Sequence, residues 1–280
     1  MTAPLLDLGA DVDWTDAEAA AAARAQTRTG SGRLAELVEW LAATAGRFPP
    51  GRSTRPRCIV IGEVEDSVAE LADSLDVGVR EIDLPGDPRA AFAQATAIAD
   101  DEADSGTDLT VLAAHDPTNA AAISVGLLTG TEPVALLPRG AAAIDTQGWV
   151  TRAEDLRDAR RRVAALRSRP DDLLAALDSP VFAASVGFLL RATGRRTPII
   201  LDGTGAAAAA LFCFDIQTRV ARWWQFADTS DDRIHQKVVA ELAVRPLLNI
   251  GTSRGNGTAG LLAIGLLRAA AMTSAEADSE

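Results

Sequence analysis

Short apolar runs separated by segments of helical periodicity constrain this chain more than any other feature. Cys58-Ile-Val-Ile-Gly62, Val77 to Leu84, Asp108 to Ala113, Pro133 to Leu137 and Thr197 to Asp202 read as strands, and Ala221 to Phe226 as a sixth. Between them, Asp66 to Leu75, Pro88 to Glu102, Asn119 to Leu128, Thr151 to Arg167, Asp171 to Leu177 and Val181 to Thr193 read as helices. Apolar runs of this length without alternation suit strands buried on both faces, which is the habit of parallel sheets. Alternation of strand and helix demands right-handed crossovers and helices on both faces of the sheet. In such sheets ligands sit beyond the carboxyl ends of the strands.

The flanks read differently. Thr15 to Ala25 is Ala-rich and helical, with Asp16, or Thr15 before it, as the cap. Gln26 to Gly32 interrupts it, and Arg33 to Ala45 resumes with Leu34, Leu37, Val38 and Leu41 on one face. Leu261 to Ala271 is strongly helical, and Thr273 to Glu280 is a polar tail. The expected fold is therefore α/β, a Rossmann-like parallel sheet with helices on both faces and a small helical lobe from the N- and C-terminal segments. The divisions expected are residues 1–50 for the N-terminal helical segment, 51–260 for the Rossmann-like domain and 261–280 for the C-terminal helix and tail.

Charge narrows the function. The formal net charge is −12, which argues against a nucleic-acid surface. Lys237 is the only lysine, so arginines supply the positive charge. Cys58 and Cys213 both lie in apolar runs and read as buried thiols of a reducing compartment. No apolar run reaches the roughly 18–20 residues of a membrane span, and the acidic, Ala-rich start does not read as a signal peptide. The expected location is the cytoplasm. No cofactor or metal set is apparent.

The stretch richest in chemistry is Gly251-Thr-Ser-Arg-Gly-Asn-Gly-Thr-Ala-Gly260, between the apolar run Pro246-Leu-Leu-Asn-Ile250 and the last helix. A strand, a glycine loop and a helix start can present backbone N–H groups to an anion. Gly255, Gly257 and Thr258 are thus candidates to hold a phosphate, or they form only a tight turn. Asp202-Gly203 closes a strand. It either shapes a nucleotide site or provides a turn and a cap for the next helix.

The chain resembles the nicotinate-nucleotide:dimethylbenzimidazole phosphoribosyltransferases. The residues that carry the likeness are Arg196-Thr-Pro-Ile-Ile-Leu-Asp-Gly203 with the Ala-rich helix after it, then Trp223-Trp-Gln, Ser230, His235, Pro246-Leu-Leu and Gly255 to Thr258. Gly32, Leu34, Leu37 and Trp40, with Ile144-Asp145 and Gly148-Trp149, match as well. The resemblance implies transfer of the phosphoribosyl group of nicotinate mononucleotide to a benzimidazole, with inversion, in cobalamin lower-ligand assembly. It implies a nucleotide site at Asn119, Asp202, Gly203, Gly255, Gly257 and Thr258. It also implies a dimer, either with itself or with an intact paralogue.

The departures bear on activity. The family's last loop carries a Glu that activates the azole nitrogen, and Asn256 occupies that position. An amide cannot take a proton near neutral pH. The family's glycine-rich middle loop is Ala113-Ala-His-Asp-Pro-Thr-Asn119 here. Its acidic residue becomes Ala114, Pro117 removes a donor, and only Asn119 survives. The first-strand motif becomes Gly62-Glu-Val-Glu-Asp-Ser67, and the segment that lines the family's benzimidazole pocket is missing. Asp178-Ser-Pro-Val181 replaces a Gly-Gly helix start, and Arg152 stands for a lysine. These losses predict weak or absent transfer, or a non-catalytic partner, or a nucleotide sensor. Arg254 reads as anion binder or surface charge, Glu63, Glu65 and Asp66 as a solvated loop, and His115-Asp116 as an ordinary loop pair rather than an acid–base pair. Trp223-Trp224 reads as packing rather than a ring-stacking platform, and His235 as a helix contact. A replacement base, if there is one, would come from Glu63 or Asp202.

Overall fold

The computed structural model describes residues 4–26, 32–116, 118–138, 146–252 and 254–275. Five strands form one parallel sheet: β1 (Pro56–Ile61), β2 (Gly78–Ile82), β3 (Leu109–Ala114), β4 (Ile199–Asp202) and β5 (Trp224–Phe226), in the order β2-β1-β3-β4-β5. Ile59 pairs with Leu112, Leu112 with Leu201, and Leu201 with Phe226. The order reverses between β1 and β3, so the sheet has its switch point there.

β1, β3 and β4 each feed two cores. Ile59, Ile61, Leu112, Leu201 and Phe226 face α5 (Pro88–Asp104), α6 (Ala120–Thr129), α10 (Pro180–Gly194) and α11 (Thr204–Ile216). Cys58, Val60, Val111, Ala113 and Ile200 face the opposite layer, made by α2 (Ala17–Gln26), α3 (Arg33–Ala45), α4 (Asp66–Ser74) and α13 (Thr258–Ala275). Two-sided burial explains the near-continuous apolar strands. It also encloses both cysteines, whose thiols burial pushes far above their ordinary range.

α3 packs on both α2 and α13. The short α1 (Leu5–Ala10) lies instead in the other layer, with Leu5 and Leu8 in the core of α10 and α11. Asp16 accepts a hydrogen bond from Ala19 N at 2.8 Å, as its capping position predicts. Among the described residues no helix is long and apolar enough to cross a membrane.

Two expected strands are not strands. Pro133 to Leu137 is the helix α7 (Pro133–Leu136), with Glu132 at its N-cap and Pro133 at its first position. Proline there lacks only an N–H that a helix start leaves unpaired anyway. Pro246 to Ile250 runs beside β5 with Leu247 N bonded to Phe226 O, but it forms only a single bridge, Leu248 to Asp228. The sixth expected strand begins as a 3-10 turn (Thr218–Arg222) and becomes β5 only at Trp224. Of the expectations above, Ile144-Asp145, Pro117 and the tail beyond 275 fall outside the described residues. Two further helices, α8 (Thr146–Val163) and α9 (Pro170–Ala176), lead into α10, and α12 (Arg233–Glu241) follows β5.

Candidate functional site at the carboxyl ends of the strands

Three loops converge at the carboxyl ends of β3, β4 and β5. Their meeting point is the backbone carbonyl of Ala114, the last residue of β3. A Cβ at Gly203 would lie 2.6 Å from that oxygen, and one at Gly205 or Gly255 would lie 2.8 Å from it. Gly203 and Gly255 also take φ values of +94° and +64°, where a side chain is strained. These glycines therefore bring backbone against backbone. Gly257 packs the same way on Cys58 Sγ, where a Cβ would approach to 2.9 Å.

Asp202 ends β4 and is buried, only 3% exposed. Its Oδ2 accepts from Gly260 N at 3.0 Å. The N–H groups of Gly257 and Ala259 also favour its charged form. Asn256 Oδ1 accepts from Thr258 N at 3.2 Å. The first-turn donors of α13 are thus directed at the protein's own side chains. The helix end that could attract a phosphate is filled by an internal carboxylate. Asp202 caps α13, 58 residues away, and not the next helix, α11, whose N-cap is Gly203 without a side-chain bond. Burial raises the Asp202 pKa to about 6; the N–H groups of Gly260, Gly257 and Ala259 oppose that rise and the nearby charge of Asp228 adds to it.

Asp228, two residues beyond β5, is the functional-end residue that sequence reading missed. Its Oδ1 accepts from Ile250 N at 2.8 Å, and its Oδ2 from Thr252 N at 2.7 Å and Thr252 Oγ1 at 3.0 Å. It pins the start of the last loop. An acidic residue just past a strand end, ahead of Thr229 and Ser230, was the available signal. Asp232 Oδ1 then caps α12 through Ile234 N and His235 N. His235 is buried edge-on to Phe226, with ring centroids 5.9 Å apart. Burial lowers its pKa, against the pull of Asp232 and Asp228.

The middle loop is built without a glycine cradle. Asp116 Oδ1 accepts from Thr118 N at 2.9 Å and from Ser179 Oγ at 3.2 Å. Ser179 in turn caps α10 by accepting from Phe182 N. Asp116 therefore ties β3 to α10, while His115 beside it is exposed. Asn119 is the N-cap of α6, without a side-chain cap bond; Thr118 Oγ1 accepts from Ala120 N instead. Only Gly62 to Glu65 separates β1 from α4. Glu63, Glu65 and Asp66 are exposed there. Glu65 pairs with the exposed Arg254 at 3.6 Å, so Arg254 faces an acid and solvent. Trp223 and Trp224 are buried, and Trp223 Nε1 donates to Asp13 O at 2.8 Å.

The structure thus brings Asp202, Gly203, Gly255, Asn256, Gly257 and Thr258 into one cluster, joined by Asp228. Asn119 stands apart from it at the start of α6.

Comparisons with known proteins agree with this architecture. A family model described as phosphoribosyltransferase matches residues 87–279. A nicotinate-nucleotide–dimethylbenzimidazole phosphoribosyltransferase of Streptomyces avermitilis is 32% identical over 305 aligned positions, covering 88% of this chain and 81% of that protein. A protein of the same name from Mycobacterium ulcerans is 31% identical over 93% of this chain and 90% of its own length. The first alignment is longer than this whole chain, so that relative carries residues with no counterpart here. The crystal structure of CobT from Thermus thermophilus superposes with a TM-score of 0.77 and 21% identity, over 92% of this chain and 96% of that one.

Proposed function

The chain belongs to the nicotinate-nucleotide–dimethylbenzimidazole phosphoribosyltransferase family, and from that premise we propose that it serves cobalamin lower-ligand assembly with its own transfer chemistry weak or lost. The carrying observation is the hydrogen bond from Thr258 N to Asn256 Oδ1. Transfer from nicotinate mononucleotide to an azole needs a group that takes the azole proton as the nitrogen attacks the anomeric carbon. Asn256 has no basic atom near neutral pH, and its carbonyl oxygen is committed to the helix. Asp202 has a pKa suited to a base, yet it is buried with Gly260 N bonded to it, so it acts as a cap. Glu63 lies on the exposed β1–α4 turn.

The test is to incubate the purified protein with nicotinate mononucleotide and dimethylbenzimidazole and to assay the ribazole phosphate formed. Loss of a general base alone costs roughly 10²–10⁴ in rate. Turnover is expected to lie at least about a hundredfold below that of an intact family member. Asn256→Glu alone is not expected to restore it, because the acceptor-lining segment is also missing. Robust turnover by the wild type would overturn the proposal.

A second reading is a non-catalytic subunit that pairs with an intact paralogue, keeping or not keeping a nucleotide. It rests on Asn256 standing at the family's base position, with its oxygen bonded to Thr258 N. Calorimetric titration with nicotinate mononucleotide separates a sensor from a scaffold. Co-purification with an intact paralogue supports the subunit reading.

A further inference from the structure

The opposite end of the sheet carries a feature that the reaction does not use. A cavity of about 290 Å³ opens at the amino ends of β3 and β4, between the C-terminus of α3, the loop 47–55 and the start of β4. Thr44, Arg47, Arg52, Ser53, Thr107 and Arg196 contribute to its wall. Three arginines line this cavity against one acid, Asp108. Among the described residues, neither Arg47 nor Arg52 has an ion-pair partner. Arg196 reaches Asp13 through Nη2 alone, at 2.6 Å.

The one acid in the wall, Asp108, is already satisfied. It accepts from Ser53 Oγ and Thr54 N at 2.7 Å, and from Thr54 Oγ1 and Arg55 N at 3.2 Å. The hydroxyl hydrogens are committed too: Thr44 donates to Trp40 O, Ser53 to Asp108 and Thr107 to Glu102. What remains to offer a ligand is guanidinium N–H.

These groups sit on a braced frame. Arg268 of α13 donates from Nε to Ser53 O at 3.3 Å, and Asp108 gathers the next two residues. One guanidinium nitrogen of Arg47 reaches Gly51, in space that a side chain there would fill. Arg196 is held at φ +59°, a left-handed conformation that a non-glycine residue rarely takes. That conformation ends α10, with Arg196 N and Thr197 N bonded back to Thr193 O and Ala192 O.

The geometry points to a binding site for a phosphate group at the amino-terminal pole, formed by Arg47, Arg52 and Arg196. Planar forks match tetrahedral oxyanions with paired, charge-assisted hydrogen bonds. The volume suits inorganic phosphate or the phosphoryl end of a small sugar phosphate. This site lies at the other end of the strands from Asp202 and Asn256, and it stands whether or not transfer chemistry survives there.

The test is calorimetric titration of the full chain with inorganic phosphate, and separately with ribose 5-phosphate, at constant ionic strength set with chloride. Saturable binding is expected in the wild type. The Arg47→Ala/Arg52→Ala double variant is expected to bind at least about tenfold more weakly, since two charge-assisted bonds are lost. Arg162→Ala, which removes an exposed charge elsewhere, is expected to bind like the wild type. Arg52→Lys keeps the charge without the fork and is expected to fall between. Tighter binding of ribose 5-phosphate would assign the site to a phosphomonoester, and equal binding to the free ion. No saturable binding by the wild type, or undiminished binding by the double variant, would overturn the proposal. So would an equal loss in Arg162→Ala.

Discussion

At the scale of single residues, Asp202 sets a pH dependence whose sign follows from its environment. Its folded pKa is raised from 3.8 to about 6, so the folded state holds the proton more tightly than the unfolded chain. The stability linked to this group is complete below the unfolded pKa and is lost as pH rises through about 6. Between pH 4.5 and 7 the loss is about 2 kcal/mol, at about 1.4 kcal/mol per unit. Asp202→Asn removes that titration while leaving the other carboxylates in place. The stability gap between wild type and variant in urea unfolding is therefore expected to be smaller at pH 7 than at pH 4.5. A gap that widens would refute the assignment. Two glycines give a contrast at the same scale. Gly203→Ala must adopt φ +94° and drive a methyl into Ala114 O and Gly255 Cα, which is expected to cost about 3 kcal/mol or more. Gly62→Ala adopts φ +112° but meets nothing within 4 Å, so its cost is strain alone, about 1–2 kcal/mol. Equal losses on thermal melting would mean that the crossing at Ala114 O is looser than described.

At the scale of elements, the last loop is held by one acid, Asp228, where the strand-like pairing beside β5 ends. Leu247 N and Leu248 N donate to Phe226 O and Ala227 O, and the Asp228 carboxylate adds bonds to Ile250 and Thr252 beyond them. Asp228→Ala leaves those donors without an acceptor and is expected to cost about 2–4 kcal/mol. Limited proteolysis should show cleavage first within 249–257, and protection equal to wild type would count against this anchoring role. The same loop shows where sequence reading reaches its limit. β1 and β3 were legible because a parallel strand buried on both faces has no polar alternation, and Cys58 to Ile61 and Leu109 to Ala113 have none. Pro133 to Leu137 has the same look, but a run of five without period fits a buried helical turn equally well. Glu132 and Pro133 were the start signal that decided it. Pro246 to Ile250 is apolar for a different reason: it covers the edge of β5. In the site, an amide with no basic atom at position 256 was legible from that residue alone. The role of Asp202 was not, because its partner N–H groups lie on α13, and no local spacing announces a cap made across the sheet.

At the scale of the whole molecule, the sheet shares its residues between two cores, with Cys58, Val60 and Val111 on one side and Ile59, Ile61 and Leu112 on the other. Neither layer can dissolve without exposing apolar strand residues. Far-UV circular dichroism and tryptophan fluorescence are therefore expected to report one coincident unfolding transition in urea. Trp40 packs in one layer, and Trp223 and Trp224 in the other, so separated midpoints would show that the layers melt independently. The crossing at Ala114 O carries a consequence for how such a protein can change over time. Three glycines from two loops rest on one oxygen atom of a third. A residue gained, lost or enlarged in any of the three shifts the seat of the other two, so viable changes here come in sets. A single-site change starts from a hub fitted to its present loops, and the road to another set of loops is longer than the count of altered positions suggests.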